Sequence, residues 1–218
     1  MLRRAASLKI VLEESGGQKF ANVRVVNETG HKLPTGYPEG RRMWINLKAY
    51  NAAGSLIYES GAYNLATGVL TEDPAIKVYE VKQGLTPEMA ALVGLDAGPT
   101  FHFALNNTTI FDNRIPPRGY TVAAYDRPGM RPVGAVYEDG QYWDDTGYSV
   151  PQATTRVVAT LYYQLASGEY IEFLEELGGA DGATLAEIWN DSKSPPEIVA
   201  QAEFPAPIEI YLPLSRKP

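Results

Sequence analysis

Short runs in which polar and apolar residues alternate constrain the fold of this chain more than any other sequence feature. The runs end at Gly, Pro, Asn or Asp, which is typical of half-buried antiparallel strands joined by turns. The pattern predicts strands over residues 7–14, 20–28, 43–51, 56–63, 76–82, 100–106, 120–126, 154–166 and 208–214. The sequences Glu14-Ser15-Gly16-Gly17 and Asn51-Ala52-Ala53-Gly54 supply the positive-φ residues of tight turns, so each predicts a hairpin.

One run, residues 155–165, is partly apolar on both faces, which predicts a central strand. Helical periodicity is confined to residues 87–93, 170–177 and 181–191, and the first of these has Thr86 as N-cap, Pro87 at its start and Gly94 behind it. We therefore predict an all-β fold, an antiparallel β-sandwich of about nine strands with two or three short helical insertions. We expect it to form a single domain over residues 1–218.

Composition excludes several classes of function. The chain has no cysteine, which rules out disulfides, zinc–thiolate sites and attachment of haem c through CxxCH. Its formal net charge of −7 would repel a phosphate backbone, so we expect no nucleic-acid partner. No apolar run is long enough for a membrane span, and residues 1–7 lack a signal-peptide pattern.

The densest group of chemically active residues lies between two predicted strands, from Asn27 to Trp44. Gly30 and Gly36 flank His31 and let the backbone bend closely, which would leave the imidazole reachable from outside. His31 is therefore a candidate ligand for a metal or a haem iron. The alternative is a surface-loop histidine bonded to a neighbouring carbonyl group, and spacing alone favours it because a lone histidine is a poor metal site.

Two further groups have a structural and a functional interpretation. His102 alternates with Phe101 and Phe103 on a predicted strand, which favours a sheet histidine whose ring points away from both phenylalanines. Carboxylates in the acidic segment 138–145 are weak candidates for a calcium site: Asp139, Asp144 and Asp145. The segment lacks the ligand spacing of an EF-hand loop, so a solvated turn is favoured.

Two arginines flank the Ile115-Pro116-Pro117 corner, and Asp112 lies just ahead of them. Internal pairing of Arg114 and Arg118 is favoured over a basic docking spot. The sequence contains no phosphate-binding glycine loop, Gly-x-Ser-x-Gly elbow or His-Glu-x-x-His helix, so we expect no enzymatic activity.

Long irregular motifs give the chain a family resemblance. GHKLPTGYPEGRRMW at 30–44 is followed by YESG, GPTFHFALNN, DNRIPPRGY, DGQYWDDT, LYYQ, EYIEFL and LAEIWNDSKSPPE. In this order the motifs resemble the non-haem C-terminal region of bacterial multihaem c-type cytochromes, over nearly the whole chain. The resemblance implies that a haem-binding domain of the same parent protein is the partner, and that haem c is held there and not covalently by this chain.

The resemblance also implies a role in electron transfer for a periplasmic or extracellular parent. Met1-Leu2-Arg3-Arg4, without a signal peptide, indicates a domain excised from that parent. His31 matches the family's histidine and becomes the candidate axial ligand to a haem of the neighbouring domain. The interface candidates are Lys32, Tyr37, Arg41, Arg42 and Trp44, with Arg41 or Arg42 available to haem propionates.

We accordingly expect a non-catalytic docking and structural module of an exported multihaem cytochrome. The alternative is a stand-alone carbohydrate- or protein-binding β-sandwich that uses its 14 Tyr and 3 Trp side chains. A metal-dependent enzyme built on His31 and His102 ranks last, because it needs both rings beside a carboxylate.

Overall fold

The computed structural model describes residues 2–205. After a short 3-10 helix at Leu2–Arg4, these residues form the strands β1 (Ala6–Ser15), β2 (Gln18–Asn27), β3 (Arg42–Tyr50), β4 (Leu56–Ser60), β5 (Tyr63–Asn64), β6 (Val69–Leu70), β7 (Lys77–Tyr79), β8 (Val81–Leu85), β9 (Gly98–Pro99), β10 (Thr108–Asp112), β11 (Trp143–Val150), β12 (Arg156–Gln164) and β13 (Glu197–Phe204). The helices are α1 (Pro87–Val93), α2 (Val122–Tyr125), α3 (Gly168–Leu177) and α4 (Gly179–Ser192). The strand predicted over residues 208–214 lies outside the described residues.

Two antiparallel sheets enclose the core, which confirms the all-β sandwich. One sheet has the order β1-β2-β11, and the other has the order β13-β12-β3-β4 with β7 also paired to β3. Both sheets contribute fully buried side chains to one cluster, among them Val23, Tyr148, Ile45 and Leu161. Burying such aliphatic and aromatic side chains is the main driving force that holds the sheets together.

The smaller elements lie outside this pair of sheets. Three short strands form a sheet of order β10-β8-β9, and β5 pairs with β6. Within residues 2–205, no helix combines the length and the hydropathy that crossing a lipid bilayer requires.

Elements with strong local signals were predicted well. Gly16 and Gly17 close the β1–β2 hairpin at φ of 61° and 75°. Helix α1 has its predicted bounds, because the Thr86 side chain accepts from Met89 N and Gly94 ends the helix in the left-handed region. The central position predicted for residues 155–165 is also confirmed, since β12 lies between β13 and β3.

Two predicted strands are wrong. Residues 100–106 form turns, because the Thr100 hydroxyl accepts from His102 N and the Asn106 amide donates to Thr100 O. Such bonds from a side chain to the nearby backbone compete with a strand ladder. In residues 120–126 the structure has helix α2, and Thr121 caps it by accepting from Ala124 N.

Several strands of the structure are not predicted from the sequence. They include β10, β13 and β11, and β11 carries two aspartates and a glycine on a strand with a half-exposed face. Aspartate and glycine have low strand propensity, so here packing on the core overrides the local preference.

Candidate functional site

A buried asparagine fixes the bend that carries His31. The Asn27 side chain is fully buried, and its Nδ2 lies 2.7 Å from His31 O, 2.9 Å from Ile115 O and 3.0 Å from Pro116 O. Its Oδ1 accepts from Thr29 N at 2.9 Å. One amide therefore ties the start of the GHKLPTG segment to the DNRIPPRGY segment.

Main-chain bonds continue this connection. Leu33 N donates to Ile115 O at 2.9 Å, and Ile115 N donates to Leu33 O at 3.0 Å, which makes an isolated antiparallel bridge. The His31 backbone is thus held on one side by Asn27 and on the other by this bridge. The His31 side chain is exposed to solvent. The bend consequently presents an accessible imidazole on a fixed backbone.

Lys32 points the other way, into a buried cluster of charges. Its Nζ lies 2.8 Å from Asp112 Oδ2, and the Asp112 side chain is fully buried. Arg114 binds the same carboxylate with Nε at 2.8 Å and Nη2 at 2.7 Å. The predicted internal pairing of Arg114 is confirmed, and Arg118 also pairs internally, with Glu28 at 3.2 Å.

The charges in this cluster shift each other's ionisation. Burial alone would raise the pKa of the Asp112 carboxyl, but Arg114 and then Lys32 outweigh it and hold that pKa below its usual range. Burial lowers the pKa of the Lys32 ammonium, which the bond to Asp112 only partly offsets. The carboxylate is therefore ionised at neutral pH and paired with two basic side chains.

Burial corrects the expectation for three of the five interface candidates: Lys32, Arg42 and Trp44 are covered by the chain itself. The Trp44 indole N–H donates to Gly61 O at 3.1 Å, and its ring packs against Tyr63 and Tyr162. Arg42 Nε donates to the Gln164 side chain at 2.9 Å. The first six residues of strand β3 are buried on both faces, so Arg42 and Trp44 do not lie on the outer surface of the domain.

The other two interface candidates keep exposed surface. Tyr37 is 43% exposed and packs its ring against Phe103 at a centroid distance of 5.2 Å. Its hydroxyl lies 3.2 Å from the Tyr170 hydroxyl, and burial raises the pKa of Tyr170. Arg41 is partly exposed and donates from Nη1 to Thr35 O at 2.6 Å. The accessible part of the predicted interface thus consists of His31, Tyr37 and Arg41.

His102 lies in a turn next to this surface and not on a strand. Its ring meets the Phe173 ring edge-on at 4.9 Å, and Phe101 contacts the same Phe173 ring at 5.6 Å. The prediction that His102 lies on a strand is therefore wrong, and its ring shares the contact with Phe173 with Phe101, because a turn does not alternate its side chains as a strand does.

The three calcium candidates have separate partners. Asp139 accepts from Val122 N at the start of α2. Asp144 binds Lys77 at 3.0 Å and the Tyr79 hydroxyl at 3.0 Å, and Asp145 pairs with Arg24 at 2.7 Å. Among residues 2–205, no group of three or more His, Cys, Asp or Glu side chains is arranged to hold a metal ion.

A cavity of about 290 Å³, which the sequence does not predict, lies beside the second half of the same loop. Glu39 lines it and is only 6% exposed, and neither of its carboxylate oxygens has a hydrogen-bond partner within the described part of the chain. Burial raises the pKa of this carboxyl. A glutamate between Pro38 and Gly40 gives no sequence signal of burial, because that context is typical of a solvated turn.

Comparisons with known proteins relate the chain to one multihaem cytochrome through its fold. No protein-family model matches the chain, and no curated protein matches it. Its fold is similar to that of a penta-heme cytochrome c552 from Thermochromatium tepidum, with a TM-score of 0.55 and 18% sequence identity. The match covers 93% of this chain and 40% of that chain, so this chain spans less than half the length of the cytochrome. At this identity the similarity shows a shared fold.

Proposed function

We propose that this chain is a non-catalytic docking and structural module of a multihaem c-type cytochrome. The observation that carries the proposal is the fold match, in which nearly the whole chain corresponds to less than half of a penta-heme cytochrome. The order of the GHKLPTG, DNRIPPRGY and later motifs supports it independently. Under this proposal the haems, and with them electron transfer, belong to a neighbouring domain of a periplasmic or extracellular parent protein.

The residues present fit a haem held by that neighbour and not one held covalently by this chain. Covalent attachment needs the two cysteines of CxxCH, and the chain has none. An exposed neutral imidazole is a normal axial ligand for haem iron, and ligand pairs are commonly supplied from distant parts of a protein. We therefore propose that His31 is the side chain this module offers to a haem of the neighbouring domain.

Bracing of the bend supports this role. A side chain that coordinates a metal must be held in a defined position, and the residues that contact it or its backbone fix that position. Asn27 and the Leu33–Ile115 bridge hold the backbone on both sides of His31. Tyr37 and Arg41 lie on the same loop and keep exposed surface, so we include both in the contact area, with the Arg41 guanidinium available to a propionate.

A haem titration tests the ligand role. Haemin is added to the full chain, and the Soret band is followed for the wild type, His31→Ala and His102→Ala. We expect the wild type and His102→Ala to give the red-shifted band of a histidine-ligated haem and His31→Ala to lose it. His102→Ala is the matched control because His102 contacts Phe173 within the aromatic packing. Equal spectra for the wild type and His31→Ala would remove the ligand role.

The docking role has a separate test in the genome. Coding sequence next to this chain and in the same reading frame should contain repeated CxxCH motifs. When that region is co-expressed with this chain, the two should co-purify as a complex. His31→Ala should weaken the association without abolishing it. Absence of in-frame CxxCH motifs would contradict the proposal that this chain is part of a multihaem cytochrome.

A further inference from the structure

The cavity beside Glu39 has the size and the wall of a small-molecule site. Its volume of about 290 Å³ is near the lower end of the range for ligand pockets. It lies between the second half of the loop that links β2 to β3, strands β7 and β8, residues 99–101 and the start of α3. One part of the wall is apolar, formed by Leu70, Val78, Val81, Pro99 and Phe101.

Glu39 gives this cavity an unpaired acceptor. The side chain is more than nine-tenths buried, and within residues 2–205 neither carboxylate oxygen has a hydrogen-bond partner. An ionised carboxylate only accepts hydrogen bonds, and burying it without a donor is costly. Within the described fold the backbone of Glu39 itself offsets part of that cost, and no other donor reaches the carboxylate, which points to a further donor that comes from a ligand.

The charged side chains that line the cavity indicate whether that ligand is a cation or an anion. Lys82 is paired with Glu80 at 3.0 Å, and Arg42 is paired with Glu169 at 3.3 Å. Among the described residues, neither Glu39 nor Glu72 forms an ion pair. Arg41, the remaining cation of the lining, donates from Nη1 to a main-chain carbonyl and lies over a tyrosine ring, while its Nε has no partner in the described part of the chain.

Glu39 and Glu72, neither of which forms an ion pair within residues 2–205, outnumber the one partly engaged guanidinium of Arg41, so the charge of the lining favours a cationic ligand. A metal ion does not fit, because no group of three ligating side chains is present in the described part of the chain. Arg42 Nη2 is also buried without a partner in the described residues, so it can donate to an acceptor on the same ligand.

We propose that this cavity binds a small organic cation that carries a primary ammonium group next to a carbonyl group. The ammonium donates to the Glu39 carboxylate, the carbonyl oxygen accepts from Arg42 Nη2, and an apolar substituent packs on Phe101 and its aliphatic neighbours. The inference does not depend on the proposed function, because His31 does not line this cavity.

Calorimetric titration with matched compounds tests the proposal. L-Leucinamide has the required ammonium, carbonyl and apolar parts, and 4-methylpentanamide has the same skeleton without the amine. At about pH 7 the amine of leucinamide is largely protonated. The wild type should bind leucinamide and should bind 4-methylpentanamide at least about tenfold more weakly, since a hydrogen bond to a charged group is lost.

Variants of the chain assign the binding to Glu39. Glu39→Gln keeps the shape of the side chain and should weaken leucinamide binding by about tenfold to a hundredfold. Glu72→Gln, at the exposed rim, should weaken it by only about twofold to fivefold. Glu138→Gln is the control, because Glu138 is exposed and does not line the cavity. Circular dichroism and urea unfolding verify that each variant is folded.

Three outcomes would overturn the proposal. The first is no leucinamide binding by the folded wild type. The second is equal binding of leucinamide and 4-methylpentanamide, which would show that the apolar wall alone selects ligands. The third is unchanged affinity in folded Glu39→Gln.

Discussion

Replacing Asp112 with asparagine removes the one negative charge from a buried cluster that contains two cations. The carboxylate accepts from Lys32 Nζ at 2.8 Å and from Arg114 Nε and Nη2 at 2.8 and 2.7 Å. Asparagine keeps one acceptor oxygen but turns an NH₂ donor toward a cation. The two positive groups, which are 8% and 15% exposed, would then repel each other with little water to screen them.

We expect Asp112→Asn to lower the free energy of unfolding by about 3–5 kcal/mol, the range for removing one partner of a buried ion pair. Asp145→Asn is the matched control. It breaks a pair with Arg24 that has similar 2.7 Å contacts but side chains that are 46% and 54% exposed. Exposed pairs contribute about 0.2–1 kcal/mol, so the two variants should differ severalfold. Urea unfolding followed by circular dichroism, at constant m-value, measures both.

Acid titration of the same variants provides an internal check. The pKa of Asp112 is lower in the folded chain than in the unfolded chain, so its contribution to stability is complete above about pH 4 and is lost as the pH falls through the folded value. The gap between the wild type and Asp112→Asn should therefore narrow below about pH 4. A loss of less than about 1 kcal/mol at neutral pH, equal to that of the control, would refute the reasoning.

Three further predictions concern packing and buried charge. Trp44→Ala should lower the free energy of unfolding by about 3–5 kcal/mol in urea, because the indole is fully buried, whereas the half-exposed Tyr37→Ala should cost about 1 kcal/mol. Gly40→Ala should lower the free energy of unfolding by about 1–3 kcal/mol more than Gly54→Ala, as measured by thermal unfolding. Both glycines have positive φ, but only at residue 40 would an added Cβ lie 2.6 Å from the side chain of Tyr170 in α3. Glu39→Gln should raise the free energy of unfolding by about 1 kcal/mol at about pH 7 and should leave it unchanged near pH 4. Burial raises the pKa of the Glu39 carboxyl, so the ionised carboxylate destabilises the fold increasingly as the pH rises above its pKa in the unfolded chain, about 4.3. An equal cost for both glycine variants, or a pH-independent effect at residue 39, would contradict these expectations.

Predictions from the sequence succeeded where a few neighbouring residues decide the structure. The Thr86 cap, the proline after it and Gly94 define helix α1 without help from the rest of the chain. The β1–β2 hairpin likewise depends on two adjacent glycines. The strand predicted over residues 100–106 is wrong although local contacts decide this segment too. Its alternating pattern is typical of a strand, but hydrogen bonds from the Thr100 and Asn106 side chains to the nearby backbone stabilise turns.

The candidate site was predicted only in part, because burial depends on distant residues. Alternation in β3 showed one apolar face, but the Trp44 side is covered by Tyr63 and Tyr162, which the sequence places far away. Glu39 looked like an exposed loop residue for the same reason. The exposure of His31 was inferable, since its flanking glycines and polar neighbours indicated a bend at the surface.

Under the proposed docking role, the Asn27 amide reduces the conformational entropy that the bend at His31 would lose when a partner binds. A flexible loop of this kind would lose about 1–2 kcal/mol of backbone entropy per residue on association. Here folding has already fixed the main chain at His31. Binding would therefore restrict only the two side-chain torsions of His31, at an entropic cost of about 0.5–1.5 kcal/mol. Under the proposed docking role, substituting Asn27 would therefore weaken association by loosening the bend, even though the Asn27 side chain is fully buried.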